Sequence, residues 1–401
     1  MRLGAVWVAI VALGHFAGDM YPGFVTPLLP YFKERFHSNY LANSLLPAVG
    51  CAGMVLQPVF GVLSDRTRRK HFIVGGIACS AVFYSVMTVL PSLPLVAICI
   101  FLGATGVSMF HPQSAALAGR LPGAETGRTM GWFIAGGQTG VAVGMLVAPL
   151  ILDRLRPASL VWTMPLGILI AGLVLLIPVS PGGRPASERD PEKRLLVQLA
   201  RAGWPLATLT VFVTLRAFVI SSVCFGVPLM LYEGRSLTRS AWPVVMFMLA
   251  GTAGVMAGAR AAAVIGERRL LVYSSLVGAG CFAGFLGLEG AASYVMLAAL
   301  GAVLSCSVPL HVVLGQRALP DNASAASSLM IGVAWGVGGL LLPLIGGAAD
   351  LLGRTEPALA GVPALRATLM GVAVFCAATA ALGLFVPVDG PGEAAGAGEA
   401  A

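Results

Sequence analysis

Twelve apolar stretches, each of roughly twenty to thirty residues, follow one another along this chain and limit its possible folds more than any other feature. A helix that rises 1.5 Å per residue needs about 20 residues to cross a hydrocarbon core of about 30 Å. The chain is 57% hydrophobic and only 10% charged. The sequence therefore predicts an all-α integral membrane protein with twelve transmembrane helices, at 4–32, 42–63, 71–90, 94–118, 128–152, 160–179, 204–231, 240–264, 270–288, 292–315, 325–349 and 364–387.

The distribution of positive charge predicts the orientation. Sixteen of the 25 Lys and Arg residues fall in segments on the N-terminal side of the membrane, eight fall on the other side and Arg216 lies within a span. Such an excess marks the cytoplasmic side. We expect a multi-pass protein of the inner (plasma) membrane with both termini in the cytoplasm. The net charge of +8 is then a topology signal, and no nucleic-acid partner is expected.

A polar segment divides the twelve stretches into two sets of six. We expect an N-terminal six-helix bundle at 1–179, a cytoplasmic linker at 180–203, a C-terminal six-helix bundle at 204–387 and a disordered tail at 388–401. A shift of 198 residues aligns LP at 121–122 with LP at 319–320, and the fifth and eleventh stretches are each followed directly by an Asp, Asp153 and Asp350. Such internal symmetry is typical of transporters built from two repeats.

The short connection between the second and third stretches carries an ordered motif, GVLSDRTRRK at 61–70. It resembles the loop motif of the major facilitator superfamily, G-x-x-x-D-R-x-x-R-[RK], except that Arg68 stands where Gly is usual. A glycine allows close helix contact, an acid can bind a helix N-terminus, and basic residues face anionic lipid. We expect a conformational latch made of Gly61, Asp65, Arg66, Arg69 and Lys70.

Three further segments narrow the resemblance. GHFAGDM at 14–20, LQPVFGVLSDR at 56–66 and FHPQSAALAGR at 110–120 are similar to the fosmidomycin-resistance branch of that superfamily. Gln113 stands where the family usually has Glu, and Gln cannot take up a proton. The resemblance implies an exporter of small drugs or metabolites that is driven by proton entry.

Ionisable residues inside an apolar span are costly and usually face a polar pathway. Asp19 lies near the middle of the first span and Arg216 near the middle of the seventh. His15 is one helical turn from Asp19 on the same face, and His111 lies in the fourth span. We expect proton coupling at Asp19, His15 and His111, and substrate binding at Arg216 with Gln113, Tyr21 and Gln138 as further polar candidates.

Alternatives remain open for these residues. Asp19 and Arg216 can form a buried ion pair that fixes two helices, or they can act as a proton acceptor and an anion-binding cation. For His15 and His111, a hydrogen bond between helices competes with a proton relay. For His311, in the tenth span, we favour a structural role.

The fifth span carries small residues at every fourth position. Gly136, Gly140 and Gly144 precede Pro149, and small residues at this spacing form a smooth strip for close helix packing. The segment resembles, in looser form, the glycine and proline motif of proton-linked antiporters. We expect a packing or gating role, and simple packing is the alternative. Proline residues at 22, 27 and 30 predict a bend in the outer half of the first helix.

The sequence contains no phosphate-binding loop of the form G-x-x-x-x-G-K-[ST] and no run with metal-ligand spacing. We expect no metal, no cofactor and no enzymatic activity, with a proton gradient as the energy source. The prediction is a major facilitator fold that exports a small organic solute as a monomer in the bilayer, by alternating access. The substrate favoured by Arg216 is an anion such as a phosphonate. Uptake or exchange of an organic anion or sugar-like metabolite is the alternative, followed by a non-transporting sensor.

Overall fold

The structure, a computed structural model, describes residues 2–65, 69–118, 121, 126–178, 191–232, 234, 236–319, 326 and 328–388. Within these ranges the regular structure is entirely helical. The residues beyond Val388 and residues 179–190, which include the first part of the predicted linker, lie outside the described part of the chain. The prediction of a disordered tail therefore falls almost wholly on residues that are not described.

Twelve membrane helices, α1 to α12, follow the order of the apolar stretches. Five consist of two or three consecutive segments, α7 is one segment with a kink, and the other six are single segments. In chain order they are α1 (Arg2–Met20, Pro22–Phe24 and Val25–Arg35), α2 (Tyr40–Met54 and Gln57–Asp65), α3 (Arg69–Val86), α4 (Leu93–Ala118), α5 (Thr126–Arg154), α6 (Pro157–Thr163 and Met164–Val174), α7 (Pro191–Leu231), α8 (Leu237–Ile265), α9 (Glu267–Gly287), α10 (Gly290–Ser305 and Val308–Ala318), α11 (Ser328–Val333, Ala334–Leu340 and Leu342–Thr355) and α12 (Val362–Phe385).

Eleven of these helices are long and apolar enough to cross a membrane. The remaining one, α3, is a shorter apolar helix at Lys70–Val86, and it coincides with the predicted span at 71–90. The prediction of a twelve-helix, all-α membrane protein is therefore confirmed.

The irregular positions in the helices have local causes. In α1 the chain forms a 3-10 turn at Pro22–Phe24, where proline cannot donate an amide hydrogen bond. In α7 a kink falls at Gly203, whose φ of 38° is accessible to glycine at little cost. Residues 191–202, expected to be part of the linker, form the helical segment that precedes this kink. The first turn of α11, Ser328–Val333, is a π-helix.

The chain forms two compact units. Unit 1 contains Met1–Gly183, Cys224–Val245 and Leu340–Leu365, and unit 2 contains Arg184–Val223, Met246–Gly339 and Arg366–Ala401. These units differ from the sequence halves because the end of α7 with the start of α8, and the end of α11 with the start of α12, pack in unit 1.

Close backbone approach holds helices together in unit 1. A Cβ on Gly106 of α4 would lie 2.7 Å from the carbonyl oxygen of Gly76 in α3, and one on Gly53 of α2 would lie 2.9 Å from the carbonyl oxygen of Phe101 in α4. Side chains at these positions would force the helices apart. Glycine therefore sets the spacing of α2, α3 and α4, as is usual where membrane helices pack without a hydrophobic driving force.

Unit 2 has its own apolar core. Phe212, Leu271 and Leu319 are fully buried there and pack with other aliphatic side chains of α7, α9, α10 and α11. Gly254 of α8 lies so close to the carbonyl oxygen of Ala302 in α10 that any side chain at this position would overlap it. Both units thus contain helix pairs whose contact requires glycine.

Candidate functional site

A cluster of one carboxylate and two imidazoles lies inside unit 1. Oδ2 of Asp19 is 3.1 Å from Nε2 of His15, one turn away on α1. Oδ1 of Asp19 is 3.0 Å from Nε2 of His111 on α4. The side chain of Asp19 is 16% exposed and that of His111 is 26% exposed, so the cluster is mostly buried but reachable through His111.

The backbone of α5 fixes the orientation of the His15 ring. Nδ1 of His15 is 2.7 Å from the carbonyl oxygen of Phe133, and the two rings stack with centroids 3.9 Å apart. His15 also meets the ring of His111 edge-on at 5.3 Å and that of Phe110 at 5.7 Å. Aromatic packing and one backbone carbonyl thus hold the imidazole in a single position.

These contacts limit where protons can lie in the cluster. A carbonyl oxygen only accepts, so a hydrogen bond from His15 to Phe133 requires the proton on Nδ1. A hydrogen bond between Nε2 of His15 and Asp19 would then need a second proton, either on the imidazole or on the carboxyl group. The geometry is therefore compatible with a proton on either member of this pair.

Gly137 of α5 borders this cluster directly. A Cβ at position 137 would lie 2.6 Å from Oδ2 of Asp19 and 2.6 Å from Nε2 of His15. Real Cβ contacts essentially never fall under 3.0 Å. The hydrogen-bonded pair of His15 and Asp19 therefore occupies the space that a side chain on α5 would take.

The glycine strip predicted in α5 runs along α1 on either side of Gly137. A side chain at any of its three positions would overlap a backbone carbonyl oxygen of α1, and Pro149 lies buried further along α5. This close approach positions Phe133 and Gly137 against the cluster. The glycine and carbonyl pairs are Gly136 with Ala12, Gly140 with Phe16, and Gly144 with Met20.

His15, Asp19 and His111 also meet the distance criterion for holding a metal ion, since their ligand atoms lie within 4.8 Å of one another. A metal ligand needs a deprotonated nitrogen lone pair, and Nε2 of each histidine faces an oxygen of Asp19, at 3.1 Å for His15 and 3.0 Å for His111. The expectation that the protein holds no metal stays a prediction.

Arg216 lies in unit 2, on α7, with 2% of its surface exposed. Its Nη1 donates to the hydroxyl oxygens of Ser274, at 3.1 Å, and Ser275, at 2.8 Å, both on α9. Its Nη2 donates to the carbonyl oxygen of Leu304 on α10, at 2.6 Å. Among the described residues no carboxylate lies within 4.0 Å of the guanidinium, and its Nε has no partner.

His311 of α10 belongs to the same buried region. Its ring meets Phe212 edge-on, with centroids 5.7 Å apart, and the guanidinium of Arg216 lies 5.6 Å from the centroid of the same Phe212 ring. Within the described part of the chain Nε2 of His311 has no hydrogen-bond partner. Unit 2 thus contains a cation held by neutral groups, with an imidazole that contacts the same phenylalanine.

Asp19 and Arg216 each find their partners within their own unit. Asp19 binds two histidines, whereas Arg216 binds two hydroxyls and one carbonyl oxygen. Both residues thus have partners of their own, and the ion pair between them stays a hypothesis.

The other predicted substrate-binding residues differ in accessibility. Tyr21 is fully buried, and its hydroxyl donates to the carbonyl oxygen of Thr163 at 2.7 Å. Gln113 is also buried, and its Nε2 donates to the carbonyl oxygen of Phe60 at 3.2 Å. Gln138 of α5 is exposed. Tyr21 and Gln113 thus make contacts between helices, and Gln138 alone of the three presents a free surface.

The motif at 61–70 is described in part. Arg66 and the side chains of Asp65 and Arg69 lie outside the described part of the chain. Nζ of Lys70 donates to the carbonyl oxygen of Leu175, just after α6, at 3.0 Å. This contact places a cation at the C-terminal end of a helix, where the helix dipole favours it. A Cβ on Gly61 would meet no described atom within 4 Å, and the role of Gly61 in helix contact stays a prediction.

Sequence reasoning missed the residues that complete the two sites. Phe133 acts through its backbone carbonyl, which leaves no trace in a sequence, and Gly137 lies one residue outside the strip that was identified. Ser274 and Ser275 hold Arg216, and this pair of adjacent hydroxyls inside an apolar helix was a usable signal.

Comparison with known proteins identifies the family. Residues 9–343 match the Major Facilitator Superfamily. The chain belongs to this superfamily. It is therefore a membrane transporter of the secondary type. The predicted resemblance to the superfamily is confirmed.

The relatives include one of the expected branch. The chain is 24% identical to the Fosmidomycin resistance protein of Escherichia coli (strain K12), and the match covers 85% of each chain. Two solved structures share the fold. A nucleoside transporter NupG (D323A mutant) matches with a TM-score of 0.79 at 13% identity, covering 94% of this chain and 99% of its own. A bacterial homolog of the human lysosomal transporter Spinster matches with a TM-score of 0.79 at 12% identity, covering 96% of both chains.

Proposed function

We propose that this protein exports a small organic anion from the cell in exchange for protons, by alternating access. The His15–Asp19–His111 cluster is the proposed proton-coupling site and Arg216 is the proposed anion-binding site. The energy source is the proton gradient, without a cofactor. We place the monomer in the inner (plasma) membrane with both termini in the cytoplasm, in keeping with the excess of positive charge on that side.

One observation carries the proton-coupling proposal. Nδ1 of His15 must donate to the carbonyl oxygen of Phe133, so the contact of His15 with Asp19 at 3.1 Å needs an additional proton. When the cluster takes up a proton, its charge changes by one. The free energy of a mostly buried charge depends on its surroundings, so this change affects two conformations differently if the surroundings of the cluster differ between them. Proton binding can therefore shift the balance between inward-open and outward-open states.

Replacing Asp19 with Asn tests this proposal. Asn has the size of Asp and keeps a hydrogen-bonding oxygen, but an amide takes up no proton near neutral pH. We therefore expect Asp19→Asn to abolish transport driven by a pH gradient. Transport is measured in proteoliposomes with and without the gradient. The matched control is Glu356→Gln, because Glu356 is an exposed acid in the connection between α11 and α12, and it should transport as the wild type does.

Asp19→Asn should still support substrate exchange at equal pH on both sides, which needs the conformational change but no net proton movement. Gradient-driven transport at the wild-type rate by Asp19→Asn would refute the coupling role. Loss of exchange together with a large fall in melting temperature would assign Asp19 to folding, and that result also counts against the proposal.

The preference for an anion follows from the surroundings of Arg216. The guanidinium is buried among neutral hydroxyl, carbonyl and aromatic groups, and a buried cation without a counter-charge is costly. A phosphonate or carboxylate would supply that charge and can accept two parallel hydrogen bonds from the guanidinium. Since Arg216 is buried, the anion must reach it in a different state of the transport cycle from the one described.

Two variants test the anion site. Arg216→Ala should lose transport of anionic solutes, and Arg216→Lys should keep part of it, because Lys retains the charge but not the paired donors. Binding is measured as the rise in melting temperature on addition of fosmidomycin, a phosphonate. A similar rise in wild type and Arg216→Ala would rule out Arg216 as the site.

The outward direction is supported by the relative named for fosmidomycin resistance and by the glycine-rich α5. Expression of the chain in a sensitive host should raise its tolerance of fosmidomycin and lower the amount retained by the cells. Greater accumulation and lower tolerance would instead indicate uptake. Absence of flux for any anion in proteoliposomes, with binding intact, would indicate a sensor.

The latch role of the 61–70 motif remains a proposal as well. Asp65→Asn should slow transport by changing the populations of the two open states. Its affinity for substrate, measured with the protein locked in one state, should equal that of the wild type. A changed affinity in the locked protein would contradict the latch.

A further inference from the structure

The first turn of α8 is bound by an aspartate from another helix. Oδ1 of Asp153, at the end of α5, accepts from the amide of Leu237 at 2.9 Å, and its Oδ2 accepts from the amide of Thr238 at 2.9 Å. The hydroxyl of Ser236 donates to the same carboxylate at 2.8 Å and accepts from the amide of Arg239 at 3.1 Å. Three of the free amides at the N-terminus of α8 are thus satisfied.

The first turn of α2 is bound in the same way. Oδ1 of Asp350, in α11, accepts from the amide of Tyr40 at 3.0 Å, and its Oδ2 accepts from the amide of Leu41 at 2.8 Å. The side chain of Asn39 accepts from the amide of Ala42 at 2.8 Å. Again, an aspartate binds the first two amides and the residue before the helix binds the third.

One shift of the sequence relates the two arrangements. With an offset of 197 residues, Asn39 corresponds to Ser236 and Asp153 corresponds to Asp350. The two arrangements are therefore the same structure, present once for each half of the internal repeat. The exchange is reciprocal, since an aspartate from the first half binds a helix of the second half, and an aspartate from the second half binds a helix of the first.

We propose that the contacts of Asp153 and Asp350 form a pair of bridges that closes one end of the transporter and opens once in every transport cycle. Both bridges lie within unit 1 and join segments from the two halves of the sequence. By the predicted topology they lie on the side opposite the termini, which is the outer face. Alternating access needs the halves to separate at that face, so both bridges must break together.

The chemistry suits a contact that is strong when closed but can still be broken. Each carboxylate accepts two amide hydrogen bonds at a helix N-terminus, where bonds to a charged group are stronger than neutral ones and the helix dipole favours an anion. Asp153 is exposed and Asp350 is half-buried, so water can replace the amides as partners when the bridges open. Among the described residues neither carboxylate forms an ion pair, so opening there leaves no oppositely charged partner behind.

Packing supports the closed arrangement around Asp350. A Cβ on Gly346, one turn before Asp350, would overlap the carbonyl oxygen of Tyr40 and would lie 2.6 Å from the hydroxyl oxygen of Ser44. The backbones of α11 and α2 therefore touch where the carboxylate meets the amides. The bridge depends on a close helix contact, and its geometry is lost as soon as these helices move apart.

The test measures the distance between the halves at the outer face. Spin labels are introduced through an unnatural amino acid at Pro91 and Glu289 of the full-length protein in lipid nanodiscs. Both positions are exposed and lie in connections on the proposed outer side, between α3 and α4 and between α9 and α10. The distance distribution gives the ratio of separated to closed protein, and melting temperature is recorded for the same samples.

Asp153→Asn and Asp350→Asn should each raise the ratio of separated to closed protein by about tenfold, because Asn loses the charge and one accepting oxygen. The double variant should raise it by roughly the product of the two, since the bridges share no partner. Glu356→Gln should leave the ratio unchanged. This inference needs only alternating access, so the same variants can shift the ratio even if Asp19 proves to have no role in proton coupling.

Two results would overturn the proposal. Distance distributions that are identical in the wild type, both single variants and the double variant would show that the bridges do not control opening. A lower melting temperature in the variants without a shift in the distribution would show that the aspartates only stabilise the ends of α2 and α8.

Discussion

Replacing Gly137 with Ala adds one methyl group to the face of α5 that borders the His15–Asp19 pair. The added Cβ would lie 2.6 Å from Oδ2 of Asp19 and from Nε2 of His15, about 0.8 Å inside the 3.4 Å at which ordinary contact begins. The backbone cannot withdraw to make room, because Gly136 and Gly140 hold α5 directly against carbonyl oxygens of α1. The side chains of the cluster must therefore move apart.

The structure sets the size of the effect. Adding a methyl group to a tightly packed site costs about 1–3 kcal/mol, and losing a hydrogen bond to a charged group costs about 1.5–3 kcal/mol. These terms overlap, because the movement that relieves the contact is the one that breaks the His15–Asp19 bond. Alanine has a higher helix propensity than glycine, which stabilises the folded protein by about 0.5–1 kcal/mol and offsets part of this cost. We expect a net loss of roughly 1–3 kcal/mol and at least a tenfold fall in gradient-driven transport.

The assay combines thermal unfolding in detergent with transport in proteoliposomes. Gly172→Ala is the matched control, since Gly172 is a helical glycine of the same unit and a Cβ there would meet nothing within 4 Å. It should leave both stability and transport unchanged. In a His15→Ala background the Gly137→Ala change should cost much less stability, because the ring that meets the new methyl group is absent.

Gly137→Ala protein that transports at the wild-type rate, with the wild-type dependence on pH, would refute the reasoning. It would mean that the cluster tolerates displacement of its hydrogen bonds, and the coupling proposal would then lose its geometric basis.

Two more predictions concern unit 2. Gly254→Ala should prevent recovery of folded protein or lower its melting temperature sharply, because the added Cβ would overlap the backbone carbonyl of Ala302. Gly280→Ala is the control, since a Cβ at that position would meet nothing within 4 Å, and it should leave the melting temperature unchanged. Arg317 forms paired bonds of 2.8 Å and 2.9 Å with Glu267, and both side chains are partly exposed, so Glu267→Gln should cost only about 0.2–1 kcal/mol. That loss, measured by thermal unfolding, should shrink at high salt; a larger loss that is insensitive to salt would contradict this estimate.

The twelve helices could be predicted because the length and apolar character of a stretch are visible in the sequence itself, and these two properties largely decide whether it can span a membrane. The pairing of His15 with Asp19 was predictable for a similar reason, since residues four apart on a helix are neighbours. The contact of His111 with the same carboxylate depends on how α4 packs against α1, and no local pattern encodes that. Arg216 was identified as a mid-span cation, but its serine and carbonyl partners come from two other helices.

The closing aspartates show where sequence reasoning stops. Asp153 and Asp350 were visible as equivalent residues at the ends of two spans, but their partners are backbone amides, which every residue except proline possesses. Sequence could therefore indicate that the two positions correspond but could not indicate what they bind. The internal symmetry predicted from a few matched residues becomes informative only when the structure supplies the hydrogen bonds.

The two halves differ in their mid-span charges. The aspartate bridges share one pattern in both halves, since each carboxylate binds the first two amides of a helix. The mid-span charges are opposite instead, with a carboxylate on α1 and a guanidinium on α7. In the proposed exchange of a proton for an anion, one group takes up a proton and another carries a positive charge, and here each half of the chain supplies one of the two. We therefore expect the double variant Asp19→Arg with Arg216→Asp to lose coupling while its outer bridges stay intact. Transport in proteoliposomes checks the first expectation, and the spin-label distances at the outer face check the second.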